Sequence, residues 1–155
     1  MAVHARYVHT NLVARDWRAL AAFYERVFAC TPVAERDLAG EWLDDATSLP
    51  NAHIRGIHLR LPGYGDAGPT LEIFQYADQP EPCPGAPNRP GFGHIAFAVD
   101  DVPTVCDEII AAGGDLVGEI VTVEILSAGQ IVFAYATDPE GNIIEVQQWS
   151  KQQSH

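Results

Sequence analysis

Two stretches of this 155-residue chain follow the same order. RYVHTNLVARD (6–16) and GFGHIAFAVDD (91–101) each place a histidine, His9 or His94, at the head of a strand-like apolar run. Each then places an aspartate, Asp16 or Asp101, seven residues further on, and a helical pattern follows. Such a repeat limits the fold more than any single residue can, because one supersecondary plan made twice must bury two apolar faces.

Asp16 is suited to cap a helix. Behind it, apolar residues recur at Trp17, Leu20, Tyr24, Val27 and Phe28, the spacing of one helix face. Pro32 is expected to close that region. EWLDD (41–45) reads as a short strand or an irregular piece. HIRGIHLRLPG (53–63) alternates like a strand, with Gly63 and Gly65 in the turn behind it, and TLEIFQYA (70–77) is the last strand of the half. DQPEPCPGAPNRPG (78–91) is too rich in proline for regular structure.

The second half repeats the plan. A strand over 92–99 leads to Asp101, with Pro103 tolerated in the first helical turn. Val102, Val105, Cys106, Ile109 and Ile110 form the expected buried stripe, and Gly113 and Gly114 end the helix. A strand-like run over about 116–125, a strand in QIVFAYAT, a tight DPEGN turn and a final strand in IIEVQQW complete it. The expected division is a first module over 1–79, a proline-rich linker over 80–91, a second module over 92–150 and a C-terminal tail over 151–155. Each module is a strand, a helix and about three strands.

The formal net charge is −12, which repels phosphate backbones and argues against nucleic acid as a partner. No apolar run is long enough to span a bilayer, and the N-terminus lacks the charged head and apolar stretch of a secretory leader, so a cytoplasmic location is expected. Cys30, Cys83 and Cys106 are an odd number without paired spacing, which argues against a disulfide framework and against a zinc ribbon.

The final strand of each half carries a glutamate among apolar neighbours, Glu72 in LEIF and Glu145 in IIEV. Strand residues alternate between faces. If Leu71, Ile73, Ile95, Phe97, Ile144 and Val146 face the helices, then His9, Glu72, His94 and Glu145 fall on the opposite face. One histidine at a strand start, or one glutamate within a strand, is ordinarily a surface or structural residue. Two such pairs at matching places in two copies are a different matter. Two imidazoles and two carboxylates facing one cavity are costly to desolvate without a cation, and a divalent metal takes both donor types.

HTNLVARDWRALAAFYERVF (9–28) resembles the opening strand and helix of the vicinal oxygen chelate superfamily. That group includes glyoxalase I, methylmalonyl-CoA epimerase, extradiol dioxygenases and the bleomycin and fosfomycin resistance proteins. GHIAFAVDDV (93–102) and DPEGNIIEVQQ (138–148) are similar to its second-module motifs, and FYERVF and DPEGNIIE are the most specific pieces. The resemblance implies an α+β fold in which two βαβββ modules form a curved mixed sheet around a metal-binding cup. It implies His9, Glu72, His94 and Glu145 as ligands of one divalent ion per site, be it nickel, cobalt, manganese, zinc, iron or magnesium. It also implies a homodimer acting on a small-molecule substrate.

A four-ligand set of this kind resembles glyoxalase I and the epimerase, whereas the oxygenases and the fosfomycin-type transferases look three-liganded. Glu72 separates these branches. The bleomycin-binding branch generally lacks the ligands. The implied chemistry is that of a lyase or isomerase moving a proton beside a carbonyl through a metal-chelated enolate, with Glu145 or Glu72 as the base. The alternatives are an extradiol-type ring-cleaving dioxygenase and a resistance protein that sequesters its ligand without turnover. The epimerase's separate glutamate aligns with Gly56 here, which counts against an epimerase. On the same strand His58 is a candidate proton shuttle and Arg60 a candidate anion holder. Asn11, Phe74 and Gln147 are candidate pocket wall, and Trp42 and Tyr64 candidate loop residues over a ligand. His4, His53 and His155 follow no pattern.

Overall fold

The computed structural model describes residues 3–150, so the 151–155 tail and His155 lie outside the described residues. The chain forms two compact units, 1–81 and 82–155. Both mix helix with a sheet that has one parallel pair and otherwise antiparallel pairs, a mixed α+β plan built twice. No helix among the described residues is long and apolar enough to cross a membrane.

In the first unit β1 (His9–Val13) leads into α1 (Trp17–Phe28), followed by β2 (Thr31–Ala39), α2 (Glu41–Thr47), β3 (His53–Arg60) and β4 (Thr70–Tyr76). The sheet order is β1-β4-β3-β2, with β1 parallel to β4. Asp16 caps α1 by accepting from the backbone N–H groups of Arg18 and Ala19, both at 3.1 Å. The helix ends at Ala29, whose φ of 54° is left-handed and turns the chain away from the helix axis. Trp17, Leu20, Ala21, Phe23, Tyr24 and Phe28 are buried and cover Ile57, Leu59, Leu71 and Ile73 of the sheet. Each of the larger side chains contributes about 1.5–3 kcal/mol by leaving water.

Three details differ from the sequence reading. The first strand is shorter than 6–14. Pro32 does not close the helix but lies inside β2, an edge strand, beside a register shift between Pro32 and Ala34. That is where a residue without an N–H is tolerated. EWLDD is helical, not a strand: Gly40 starts α2, Leu43 is buried and Asp44 accepts from the backbone N–H groups of Asn51 and Ala52 at 2.8 and 2.7 Å. Leu43, Ala52, Ile54, Leu38, Phe74 and Tyr76 pack as a second cluster. By register, Leu38, Ile54, Phe74 and Tyr76 occupy the sheet face opposite α1, so α2 seals one end of that face.

In the second unit β5 (Ile95–Ala98) leads into α3 (Val102–Ala111), followed by β6 (Asp115–Leu116), β7 (Val121–Ile125), β8 (Gly129–Thr137) and β9 (Ile143–Ser150). The order is β5-β9-β8-β6, and β7 also pairs with β8. Thus the run expected at 116–125 is one edge strand broken into two pieces, both antiparallel to β8. The expected strand over 92–99 contracts to β5. Asp101 caps α3 by accepting from Thr104 N–H, and Val102, Cys106 and Ile109 are buried. Ile110 leaves the expected stripe and is exposed.

The two units repeat one another in detail. The first helical N–H of each helix meets a glutamine on the last strand of its unit, Trp17 with Gln75 Oε1 at 3.3 Å and Val102 with Gln148 Oε1 at 3.4 Å. The chain leaves each first strand by a matching bond as well: Ala14 N–H donates to Phe74 O, and Val99 N–H to Gln147 O.

Candidate functional site

The site face of the first sheet is set by register. In successive rows it carries Asn11, Glu72, His58 and Ala34, then Val13, Phe74, Gly56 and Arg36. The row on the other side holds His9, Thr70 and Arg60. Glu72 is the centre of this arrangement and is only 8% exposed. Asn11 Nδ2 donates to its Oε1 at 2.9 Å, His58 Nε2 lies 3.0 Å from its Oε2, and His9 Nε2 lies 3.7 Å from Oε1. The His58 ring stands edge-on to His9 and to Phe74, with centroids 6.0 and 5.8 Å apart. Burial pushes the His58 imidazole below its ordinary pKa; Glu72 opposes this, while the Arg36 and His9 charges add to it.

Phe74 fills the space that Gly56 leaves. A Cβ on Gly56 would stand 2.1 Å from the Ile73 carbonyl oxygen and 2.6 Å from the Phe74 ring. The aromatic ring therefore requires a glycine at this place. Arg60 is tied into the following turn, its Nη1 donating to Gly68 O at 2.8 Å.

The second sheet presents the matching face. His94 stands just before β5, with its Nε2 3.0 Å from Glu145 Oε2. Ala96 and Tyr135 flank Glu145 in register, in the places that Asn11 and His58 hold beside Glu72. The Tyr135 ring lies 5.1 Å from His94, centroid to centroid, and Phe133 lies behind Tyr135 at 5.9 Å. Among the described residues, Glu145 thus has one close polar neighbour, where Glu72 has three.

The structure brings His9, Asn11, His58, Glu72 and Phe74 together in the first unit, and His94 with Glu145 in the second. Trp42, in α2, and Tyr64, in the turn after β3, are exposed. His53 pairs with Asp37 at 2.6 Å on the α1-facing side of the first sheet. Tyr135 and Arg36 are polar residues of the site faces that were not singled out from sequence. Tyr135 could have been found by counting alternation along QIVFAYAT from the glutamate strand. Arg36 could not, because the segment that carries it was not read as a strand.

Among the described residues, no group of three or more histidine, cysteine, aspartate and glutamate side chains stands ready-made around a metal position. The donor chemistry nevertheless fits a divalent ion. Each unit presents an imidazole nitrogen beside a part-buried carboxylate, the mixed nitrogen and oxygen set that such ions take.

A family profile described as the Glyoxalase/Bleomycin resistance protein/Dioxygenase superfamily matches residues 6–146. A probable lactoylglutathione lyase of Vibrio parahaemolyticus is 38% identical over 90 residues, covering 57% of this chain and 60% of that protein. A lactoylglutathione lyase of Haemophilus influenzae is 39% identical over 54 residues, covering 35% and 38%. The chain therefore spans 60% or less of the length of these curated relatives. Among solved structures, a glyoxalase family protein from Bacillus cereus superposes with a TM-score of 0.82 at 19% identity, covering 96% of both chains. The fosfomycin resistance protein FosX of Listeria monocytogenes, solved with Mn(II) and sulfate, gives 0.56 at 14% identity over 97% of this chain and 95% of that one. Likeness at these identities concerns the fold.

Proposed function

The chain belongs to the glyoxalase/bleomycin resistance protein/dioxygenase superfamily, and from that premise we propose that it is a metal-dependent lyase or isomerase that moves a proton beside a carbonyl. The observation that carries this reading is the pair of histidine–glutamate contacts at equivalent register positions of two repeated units, His9 with Glu72 and His94 with Glu145. These four side chains are the proposed ligand set. The name lactoylglutathione lyase on the relatives and the Mn(II) in FosX support the choice of chemistry and of a divalent ion. When bound, such an ion supplies Lewis acidity toward a substrate carbonyl.

The two glutamates divide the remaining work. Glu72 is held by Asn11 and has His58 3.0 Å away, so it is built to stay in place. Among the described residues, Glu145 has one polar partner, His94 at 3.0 Å, and small Ala96 leaves room beside it. Glu145 is therefore the proposed base: its carboxylate takes the proton from the substrate carbon beside the carbonyl and returns it to the neighbouring carbon. His58, whose imidazole pKa is lowered chiefly by burial, is the proposed relay, able to hold a proton at either ring nitrogen. Asn11 positions Glu72, and Phe74 forms an apolar wall that excludes water.

The test is metal analysis together with turnover of the hemithioacetal of methylglyoxal and small thiols, and of short acyl-CoA thioesters, in D2O. Wild-type protein retains metal and incorporates deuterium at the substrate carbon. Glu145→Gln loses turnover by at least about a thousandfold, in line with the loss of a general base that also binds the metal. His58→Ala keeps its metal and loses turnover only. Consumption of oxygen with a catechol, or ligand binding that persists without metal and without turnover, would replace this reading by the oxygenase or the sequestering one.

A further inference from the structure

We infer that Arg36 is an anion-binding specificity residue of this site, and that the substrate carries a carboxylate or other anionic group at a distance from its reacting carbonyl. The inference rests on the function proposed above and adds the substrate class. Arg36 pairs with Gly56 on β3, which pairs with Phe74 on β4, so its side chain leaves the sheet on the same face as His58 and Glu72. It stands two strands across and two residues along from Glu72, about 12 Å between Cα atoms by ordinary sheet spacings. The intervening floor is low. Ala34 lies beside His58, and Gly56 has no side chain, its place taken by the Phe74 ring. A ligand chelated near Glu72 can therefore lie over His58 and Ala34, along the aromatic edge, and end at Arg36.

The other cation on this face suits the task less. The Arg60 guanidinium is fixed to its own turn through Gly68 O. Arg36 Nη1 donates to the adjacent Glu35 carbonyl at 3.2 Å, a local bond from one nitrogen of an exposed side chain. The planar fork is suited to a two-point contact with carboxylate or phosphate oxygens. In a chain of net charge −12 an anionic ligand needs such a local cation, and 82–155 supplies only Arg89 and Lys151 from sequence.

The experiment compares three ligands of the metal-loaded protein by calorimetry: the monohydroxamate of adipic acid, a phosphonate-tailed hydroxamate of the same length, and hexanohydroxamate, which has the same chelating group and an uncharged tail. The expected result is at least about tenfold tighter binding of one or both anionic ligands, the tighter one identifying carboxylate or phosphate as the natural group. Arg36→Gln removes that preference, and Arg36→Lys restores part of it. If the three bind alike and Arg36→Gln changes nothing, the inference falls while the metal site stands. If none binds to metal-loaded protein, the underlying reading falls and takes this one with it.

Discussion

Asp16 and Asp101 are alike in sequence and alike in role, and both were legible because a cap needs only a side-chain oxygen and the two or three N–H groups that follow. The facing of His9, Glu72, His58 and Glu145 was legible for a similar reason, since alternation along a strand depends on nothing outside it. The distances were not, because Asn11, His58 and His9 reach Glu72 only through strand pairings that no local pattern encodes. The cysteines show how burial decides chemistry at this scale. Cys30 is 3% exposed, and burial, assisted by the nearby Glu25 charge, pushes its thiol up to about 12. Cys106 is also buried, and burial raises its thiol too. Only the thiolate reacts. Iodoacetamide at pH 8 should therefore label exposed Cys83 in the folded protein and reach Cys30 and Cys106 only after denaturation, as peptide mapping would read. Rapid labelling of Cys30 would contradict its burial. The linked effect on stability has a definite sign. The unfolded thiol ionises near 9 and the folded one near 12, so the Cys30 contribution is complete below pH 9 and is lost as pH rises from 9 to 12.

At the scale of elements, α1, α3 and the glutamate-bearing strands follow from periodicity, while β2 and α2 do not. Thr31–Ala39 has a proline as its second residue, and its alternation is carried by Ala34, Arg36 and Leu38 against Val33, Glu35 and Asp37, charges on both faces. Such an edge strand forms because β3 offers it a full ladder, not because its own residues ask for one. α2 is seven residues long and would be marginal alone; it is kept by Leu43 in the second cluster and by the Asp44 carboxylate on Asn51 and Ala52 N–H. The price of missing β2 was Arg36. The same elements explain why β3 needs Gly56. A Gly56→Ala substitution pushes a methyl into the Ile73 carbonyl and the Phe74 ring. It should cost about 2–3 kcal/mol, near the upper end for overpacking, in urea unfolding. It should also displace Phe74 from the His58 edge, changing the aromatic shift of the His58 ring protons. An unchanged unfolding midpoint would mean that the sheet yields at this point more easily than a paired strand should.

For the molecule as a whole, the proposed function makes one demand that neither unit can meet alone. If His9–Glu72 and His94–Glu145 are one ligand set, protein should bind one divalent ion per chain, whereas two independent pairs would bind two. Charge favours cation binding at either. Residues 1–81 hold 7 basic and 11 acidic side chains, a net −4, and 82–155 hold 2 and 10, a net −8. Both carboxylates therefore lie in a negative field that attracts a cation and is weakened by salt. A ligand bound only by the folded state at about a hundred times its dissociation constant stabilises by about 2.7 kcal/mol, or roughly 5–10 °C in Tm for a chain of this size. Chelator should remove that increment and one equivalent of divalent ion restore it. The decisive comparison is His9→Ala with His94→Ala, one from each unit. With a shared site, each variant alone abolishes the whole increment and the stoichiometry falls from one toward zero. With separate sites, each variant keeps half of the bound metal. A measured ratio of two ions per chain, or an increment that survives in either variant, would break the shared set and with it the division of labour between Glu72 and Glu145.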